Sequence, residues 1–368
     1  MKKITIILIA LLLLLTSCAP EVEREEIIQQ EENNEQGQAS IVPSYQLSKE
    51  HYKPVLPFRP SAARGVIARQ VANRLDIDEM EKGLRRLSME HFDAEKYLYD
   101  EGQYLSEKTV LSLIDELNPK RSKEWSEEKH RKNPRILSHI LEQNYVEKID
   151  GTVELAGVSI AIALKSVYRF ETATAGPYFE PIPKELMLEK GKEIAQTILE
   201  KLRGYEDVQS VPIMIALFQE EEQSSPVPGN FVAKTFVQGS DMLISDWEEV
   251  NEENVLFPSK YARENYSDTS TVLQEFGQKI AEYFPNYVGY VGHGFYLDND
   301  LKRLKIKIPI EFNGSSEIVG FTQYVYGLVK SSFTGKYDIE VTIESSRQIE
   351  SIIFQQVGDE EPTAHILH

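Results

Sequence analysis

One cysteine stands in this chain of 368 residues, and it closes an apolar run at the amino terminus. A fold built on Cys18 alone has no intrachain disulfide and no thiolate metal site to lean on. The residues before it sharpen the constraint. Met1, Lys2 and Lys3 form a basic head, Ile4 to Leu15 are apolar apart from Thr5, and Leu15, Thr16 and Ser17 lead into Cys18. The run is about 12 residues long, within the roughly 7 to 15 of a secretory-signal core and short of the roughly 20 of a spanning helix. Residues 1–17 are therefore expected to be removed. Whatever folds does so outside the cytoplasm, by packing alone.

The tetrad Leu15-Thr16-Ser17-Cys18 has a chemical logic. Small residues before the cysteine admit a peptidase, the Cys18 thiol is alkylated by a diacylglycerol, and the freed amine of Cys18 can be acylated. At roughly 0.8 kcal/mol per buried CH₂, one acyl chain holds weakly and two or three hold firmly. The expected product is held to the extracytoplasmic face of the cell membrane by covalent lipid, and lipoprotein-processing enzymes are its first partners.

With 59 acidic against 40 basic side chains and a formal charge of −19, nucleic acid and anionic lipid heads are poor partners. Part of that charge is local. From Ala19 to Ser40 runs of Glu, Gln and Asn replace apolar residues, so residues 18–55 are expected to be a disordered, solvated tether and not a cation site.

Beyond it, residues 56–142 read as a mainly helical part. Val66 to Leu75 is a short helical candidate, and Met80, Leu84 and Leu87 share one face of a helix over Asp78 to Met89. Ser106 caps a helix from Glu107 to Leu117 that stops at Asn118-Pro119. Lys120 to Lys132, very charged and carrying Trp125, reads as a solvated connection before a second helix over Pro134 to Glu142.

Residues 143–368 read as α+β. Asp150-Gly151 signals a hairpin, Val158 to Leu164 alternates as a half-buried strand, a helix carries Met187, Ile194, Ile198 and Leu202, and Val211 to Gln219 returns as a strand. Phe231 to Val237 is a strand, Asp241 to Ser259 an acidic loop with Trp247, Thr271 to Phe284 a helix, and Tyr287 to Tyr296 a strand. Strand, helix and strand then recur over Leu304 to Phe312, Ser315 to Lys330 and Tyr337 to Ile343. The expected fold is α+β, with largely antiparallel sheets, short helices and two related strand-helix-strand halves at about 145–240 and 285–357.

No nucleophile elbow, zinc-helix pair, phosphate loop or Cys/His cluster is present. Gly289 to Gly294, with His293, reads as a bulged, tightly packed strand in preference to a cofactor loop. Asp298-Asn299-Asp300 reads as a turn and not a calcium loop, and Glu220-Glu221-Glu222 as an exposed linker. Accordingly no catalytic, cofactor or metal residue is assigned. The function expected is a surface binding or interaction module of unknown ligand or protein partner; the alternative is a cell-surface enzyme acting on cell wall or peptides. A convergent polar pocket would favour the enzyme, and an apolar or aromatic groove would favour binding.

Pro57 to Ser61, Leu98 to Leu105, Leu155 to Ala161, Val227 to Phe231 and Val255 to Ser259, in this order, resemble the CamS family of sex-pheromone-precursor lipoproteins of Gram-positive bacteria. The resemblance implies a surface lipoprotein of α+β fold whose cleaved signal can be trimmed to a hydrophobic mating peptide. The family peptide is similar to Ala-Ile-Phe-Ile-Leu-Ala-Ser. Leu11 to Ser17 here is Leu-Leu-Leu-Leu-Leu-Thr-Ser, without the aromatic side chain and the two small residues.

Overall fold

A computed structural model describes residues 26–28, 40–49, 51–63, 72–311 and 314–367. The signal segment, Cys18, most of the tether and Val66 to Val71 of the expected helix lie outside the described residues, and the end of that expected helix is instead a short strand, Asn73–Arg74, paired with Glu221–Glu222.

Thirteen strands form two sheets, and in both the spatial order follows the chain. The first sheet runs β1 (Lys53–Pro54), β2 (Leu98–Glu101), β3 (Leu137–Ile149), β4 (Thr152–Leu164), β5 (Ile213–Gln219), β6 (Asn230–Val237) and β7 (Glu248–Glu249). The second runs β8 (Glu252–Phe257), β9 (Val291–Leu297), β10 (Asp300–Pro309), β11 (Asp338–Glu344), β12 (Ile349–Gln355) and β13 (Thr363–Ile366). Seven helices are described: α1 (Ile77–Ser88), α2 (Glu107–Glu116), α3 (Glu127–Lys132), α4 (Lys184–Leu202), α5 (Lys260–Asn265), α6 (Ser267–Tyr283) and α7 (Ser315–Ser332).

The two sheets repeat one plan. From β2 to β7 and again from β8 to β13, the pairings are antiparallel, antiparallel, parallel, antiparallel and antiparallel. Helices lie between the first two strands of each set, and α4 or α7 makes the crossover that a parallel pair needs. The related halves are thus wider than expected, Leu98 to Glu249 and Glu252 to Ile366.

Turn chemistry sets the registers. Asp150 and Gly151 both take positive φ (49° and 84°) between β3 and β4, and Asp298 and Asn299 (53° and 65°) do the same between β9 and β10. Each is a two-residue hairpin that matches strand twist. Asp298-Asn299-Asp300 therefore serves as a turn.

Strand β4 is buried on both faces, not one. Val158, Ile160, Ile162 and Leu164 pack with α4, while Ala161 and Ala163 pack with Met80 and Leu84 of α1. The alternation that suggested a solvent face is an alternation of large and small, and small residues admit a second helix.

Several expectations are corrected. Pro134 to Glu142 is not a helix: Leu137 onward is β3, and a bulge between Leu137 and His139 places Leu137 and Ile140 in one core cluster. A strand with a bulge can mimic helical spacing. The acidic loop contains β7 and β8, where Val255 and Phe257 point into the core. Folded structure also begins before Leu56. Ile41 and Leu56 exchange backbone hydrogen bonds of 2.7 and 2.9 Å, Val42 and Val55 are buried, and β1 pairs with β2. Nor is 56–142 a separate helical part, because β2 lies between β1 and β3 in the first sheet.

The sheets are joined through Arg86. Its guanidinium meets the buried Glu252 carboxylate at 2.8 Å and lies 4.3 Å from the Phe295 ring, and Glu252 also accepts the Phe231 N–H. No described helix is long and apolar enough to cross a membrane.

Candidate functional site

The stretch from Leu117 to Ile136, which links α2 to β3, borders three concavities. Its conformation is fixed from within. Asn118 donates to the carbonyls of Ile114 and Leu137 (2.8 and 2.9 Å) and accepts the Leu137 N–H at 3.0 Å, which fastens the end of α2 to the start of β3. Arg135 donates to the Pro119 carbonyl at 3.0 Å and meets Asp115 at 2.9 Å. Ser126 caps α3 by accepting the Lys129 N–H, and His130 on that short helix is buried, 3.1 Å from both the Tyr168 hydroxyl and the Ser122 carbonyl. The supposed solvated connection is therefore a built loop. Its one sequence signal was Trp125, whose ring lies tilted 5.4 Å from that of His130 and carries the Lys129 ammonium 4.5 Å away.

The first concavity is a cavity of about 270 Å³ between this stretch and α4. Leu117, Pro119 and Ile136 form one wall and Leu186 and Ile194 the other, with Lys132, Lys190, Glu193 and Thr197 around them. A second, open trench of about 750 Å³ is lined by Asp115, Glu116, Lys120, Arg121 and Arg135. Arg121 also lines a niche of about 120 Å³, where His130, Tyr168 and Phe170 are the aromatic lining. Cavity and trench adjoin through the chain itself: Pro119 lines one and Lys120 the other, and Ile136 lines one and Arg135 the other. Between Lys120 and Arg135 there are seven basic and three acidic side chains, a positive island on a chain of charge −19.

A second polar group sits at the carboxyl end of the parallel pair. Leu164 pairs with Gln219, so Lys165 and Glu220 are the next residues of β4 and β5, at the sheet edge where open parallel sheets place ligands. Glu220 is fully buried and accepts a hydrogen bond from the Ser138 hydroxyl at 2.5 Å, which corrects its expected place in an exposed linker. Burial raises the Glu220 carboxyl to about 7, against the pull of Ser138 and Lys165. Burial likewise lowers the Lys165 ammonium to about 8, helped by Arg121 and Arg135 and opposed by Glu220. The second half makes the comparison plain. Pro309 pairs with Glu344 there, and the next residues are Ile310, buried and apolar, and Ser345. The architecture does not require the charged pair.

His293 lies on β9, half-buried, and burial with nearby Lys307 and Arg74 lowers its imidazole pKa. It joins neither group. Gly292 and Gly294 pair with Phe257 and Val255, and a Cβ on either would come within 3.2 or 3.0 Å of the Phe257 side chain. These glycines serve packing. Among the described residues no group of three or more metal-ligating side chains occurs.

The family described as "CamS sex pheromone cAM373 precursor" matches residues 58–361. The chain belongs to the CamS family. Among CamS structures, the sex pheromone precursor from Lactobacillus salivarius subsp. salivarius UCC118 is 27% identical, with a TM-score of 0.81 over 89% of this chain and 99% of that one. The C-terminal domain of the sex pheromone staph-cAM373 precursor from Staphylococcus aureus is also 27% identical, with a TM-score of 0.68 over 79% of this chain and 96% of that one. No curated protein matches the chain.

Proposed function

We propose that this CamS-family chain is a lipoprotein held to the extracytoplasmic face of the cell membrane through Cys18, and that its folded part is a binding module rather than an enzyme. The tetrad Leu15 to Cys18 supports the anchor. The character of the cavity beside α4 carries the binding reading. Its walls are apolar, and its one carboxylate, Glu193, is already 2.7 Å from the Lys190 ammonium. Such a site holds a ligand chiefly by burial of its apolar part. The fragment ending in Ser17 would be a source of a hydrophobic peptide, made and released independently of the folded part.

Two experiments test this. Cys18→Ala should leave the protein in the medium or as an unprocessed precursor, and labelled palmitate still entering it would overturn the anchor. Thr197→Trp places an indole at the cavity from an exposed helix position. It should abolish binding of the dye anilinonaphthalene sulfonate to the mature protein, and undiminished binding would remove the cavity from consideration.

Lys165 and Glu220 favour a second reading, a surface enzyme acting on wall or peptide, since titrations near neutrality are what acid–base catalysis uses. Hydrolysis of purified wall fragments by the unaltered protein, lost in Glu220→Gln, would establish it.

A further inference from the structure

Cavity and trench are bordered by the same two chain segments, Pro119-Lys120 and Arg135-Ile136. We infer that together they take the carboxyl-terminal residue of an apolar peptide, with the side chain in the cavity beside α4 and the terminal carboxylate against Arg121 and Lys120. The inference rests on reading that cavity as a binding site, and it names the ligand.

The chain itself provides the coupling. At Pro119/Lys120 and again at Ile136/Arg135, one residue lines the apolar space and its direct neighbour lines the charged one. A ligand seated in both must change from apolar to anionic within about one residue's length, roughly 3.3 to 3.6 Å. The terminal residue of a peptide does so, carrying side chain and carboxylate on one Cα.

Size favours a side chain over a whole acyl chain. At about 30 Å³ for each water displaced, a space of 270 Å³ takes one large side chain or two small ones. It falls just under the roughly 300 to 1,000 Å³ of sites that engulf a whole small molecule. By the same measure the space holds about nine non-hydrogen atoms, and an acyl chain of about 16 carbons would overfill it.

Charge decides the orientation. Arg135 is held by Asp115 and the Pro119 carbonyl. Lys120 and Arg121, both exposed, make no hydrogen bond or ion pair with another described residue. A guanidinium offers a carboxylate two parallel N–H donors, and a terminal amide would forfeit that pairing.

The test uses the mature protein and three fluorescent acetylated probes: Gly-Gly-Leu with a free carboxylate, the same peptide as its amide, and Gly-Gly-Gly with a free carboxylate. The free leucine peptide should bind at least tenfold more tightly than either of the others. Arg121→Ala should erase the preference for acid over amide and leave the amide's affinity unchanged. Thr197→Trp should abolish all binding. Equal binding of acid and amide, abolished by Thr197→Trp, would overturn the carboxylate contact and leave the cavity as a binding site. No peptide binding, together with dye binding indifferent to Thr197→Trp, would overturn both. Phosphatidylglycerol vesicles captured through Arg121 while the peptides fail would assign the trench to a lipid headgroup and overturn the peptide.

Discussion

Glu142 Oε2 accepts the backbone N–H of Leu105 at 2.6 Å, while Oε1 accepts those of Gln103 and Tyr104 at 2.9 and 3.0 Å. Three successive N–H groups converge on one buried carboxylate. The loop between β2 and α2 is thereby tied to β3, and Gly102 is what permits the approach: a Cβ there would lie 2.6 Å from the Glu142 Cβ. This accounts physically for Gly102, one residue of a stretch that carried the family resemblance. Glu142→Gln turns an amide NH₂ toward N–H donors, so one or more of them loses its acceptor. We expect a loss of about 1 to 3 kcal/mol in urea unfolding, and an unchanged midpoint would show that the loop does not depend on the carboxylate.

Gly157 makes a similar demand. On β4 it faces the Phe92 ring, and an added Cβ would stand 2.0 Å from a ring carbon. Phe92 is itself stacked on Tyr145, with ring centroids 4.5 Å apart, and cannot retreat freely. Gly157→Ala should destabilise the protein by about 1 to 3 kcal/mol. Adding Phe92→Leu should recover part of that loss, because the smaller side chain clears the space. Wild-type stability in the single variant would contradict the packing.

Much of the fold was legible where one period dominated. Alternation in β11 and the helical spacing of Met187, Ile194, Ile198 and Leu202 in α4 marked elements that the structure contains. Legibility failed where a local device altered the period or charge hid it. The bulge at Leu137/His139 lent β3 a helical look, and Glu252 and Glu253 disguised β8 as loop although Val255 and Phe257 alternate. The candidate site was the least legible part. Residues 120–132 resemble a solvated run because their cations border concavities completed by α4, Tyr168 and Phe170, all distant in sequence. Glu220 could not be told from Glu221 and Glu222 without knowing that it ends a central parallel strand.

The amino-terminal limit of the folded part gives a prediction of its own. Val42 and Val55 are buried beside Val146, and β1 supplies an edge to β2. A protein beginning at Ser40 keeps these contacts, and one beginning at Leu56 loses them. Burial of two valines at about 1.5 kcal/mol or more each implies that the shorter form is less stable by roughly 3 kcal/mol. Equal thermal midpoints would mean that residues 40–55 lie on the surface without supporting it.

Lys165 and Glu220 make the most specific prediction, because their titrations oppose one another in pH. The folded Glu220 carboxyl titrates at about 7 against an ordinary 4.5, so the unfolded chain loses this proton first. The stability it contributes is complete below 4.5 and is lost as pH rises to about 7. Folded Lys165 titrates at about 8 against an ordinary 10.5, so its contribution is complete above 10.5 and is lost as pH falls to about 8. The pair should therefore depress stability most between about 7 and 8, where both are charged and burial weighs on each. Glu220→Gln should flatten the acid limb of a stability–pH profile measured by urea unfolding. Lys165→Met should flatten the alkaline limb, and it should also move the Glu220 titration, followed by carbon NMR, further up because the attraction of the ammonium is gone. The double variant Lys165→Ile with Glu220→Ser copies the residues at the same place in the second half. Removing both charges together leaves neither one buried without its partner, and exchanges of whole buried ion pairs are often neutral or stabilising, so this variant should be at least as stable as the unaltered protein near neutrality and lose both limbs. If instead it unfolds, the pair is part of what holds the first sheet together and its resemblance to an acid–base site is incidental; if both limbs survive in the single variants, other groups produce them and the assignment to this pair is wrong.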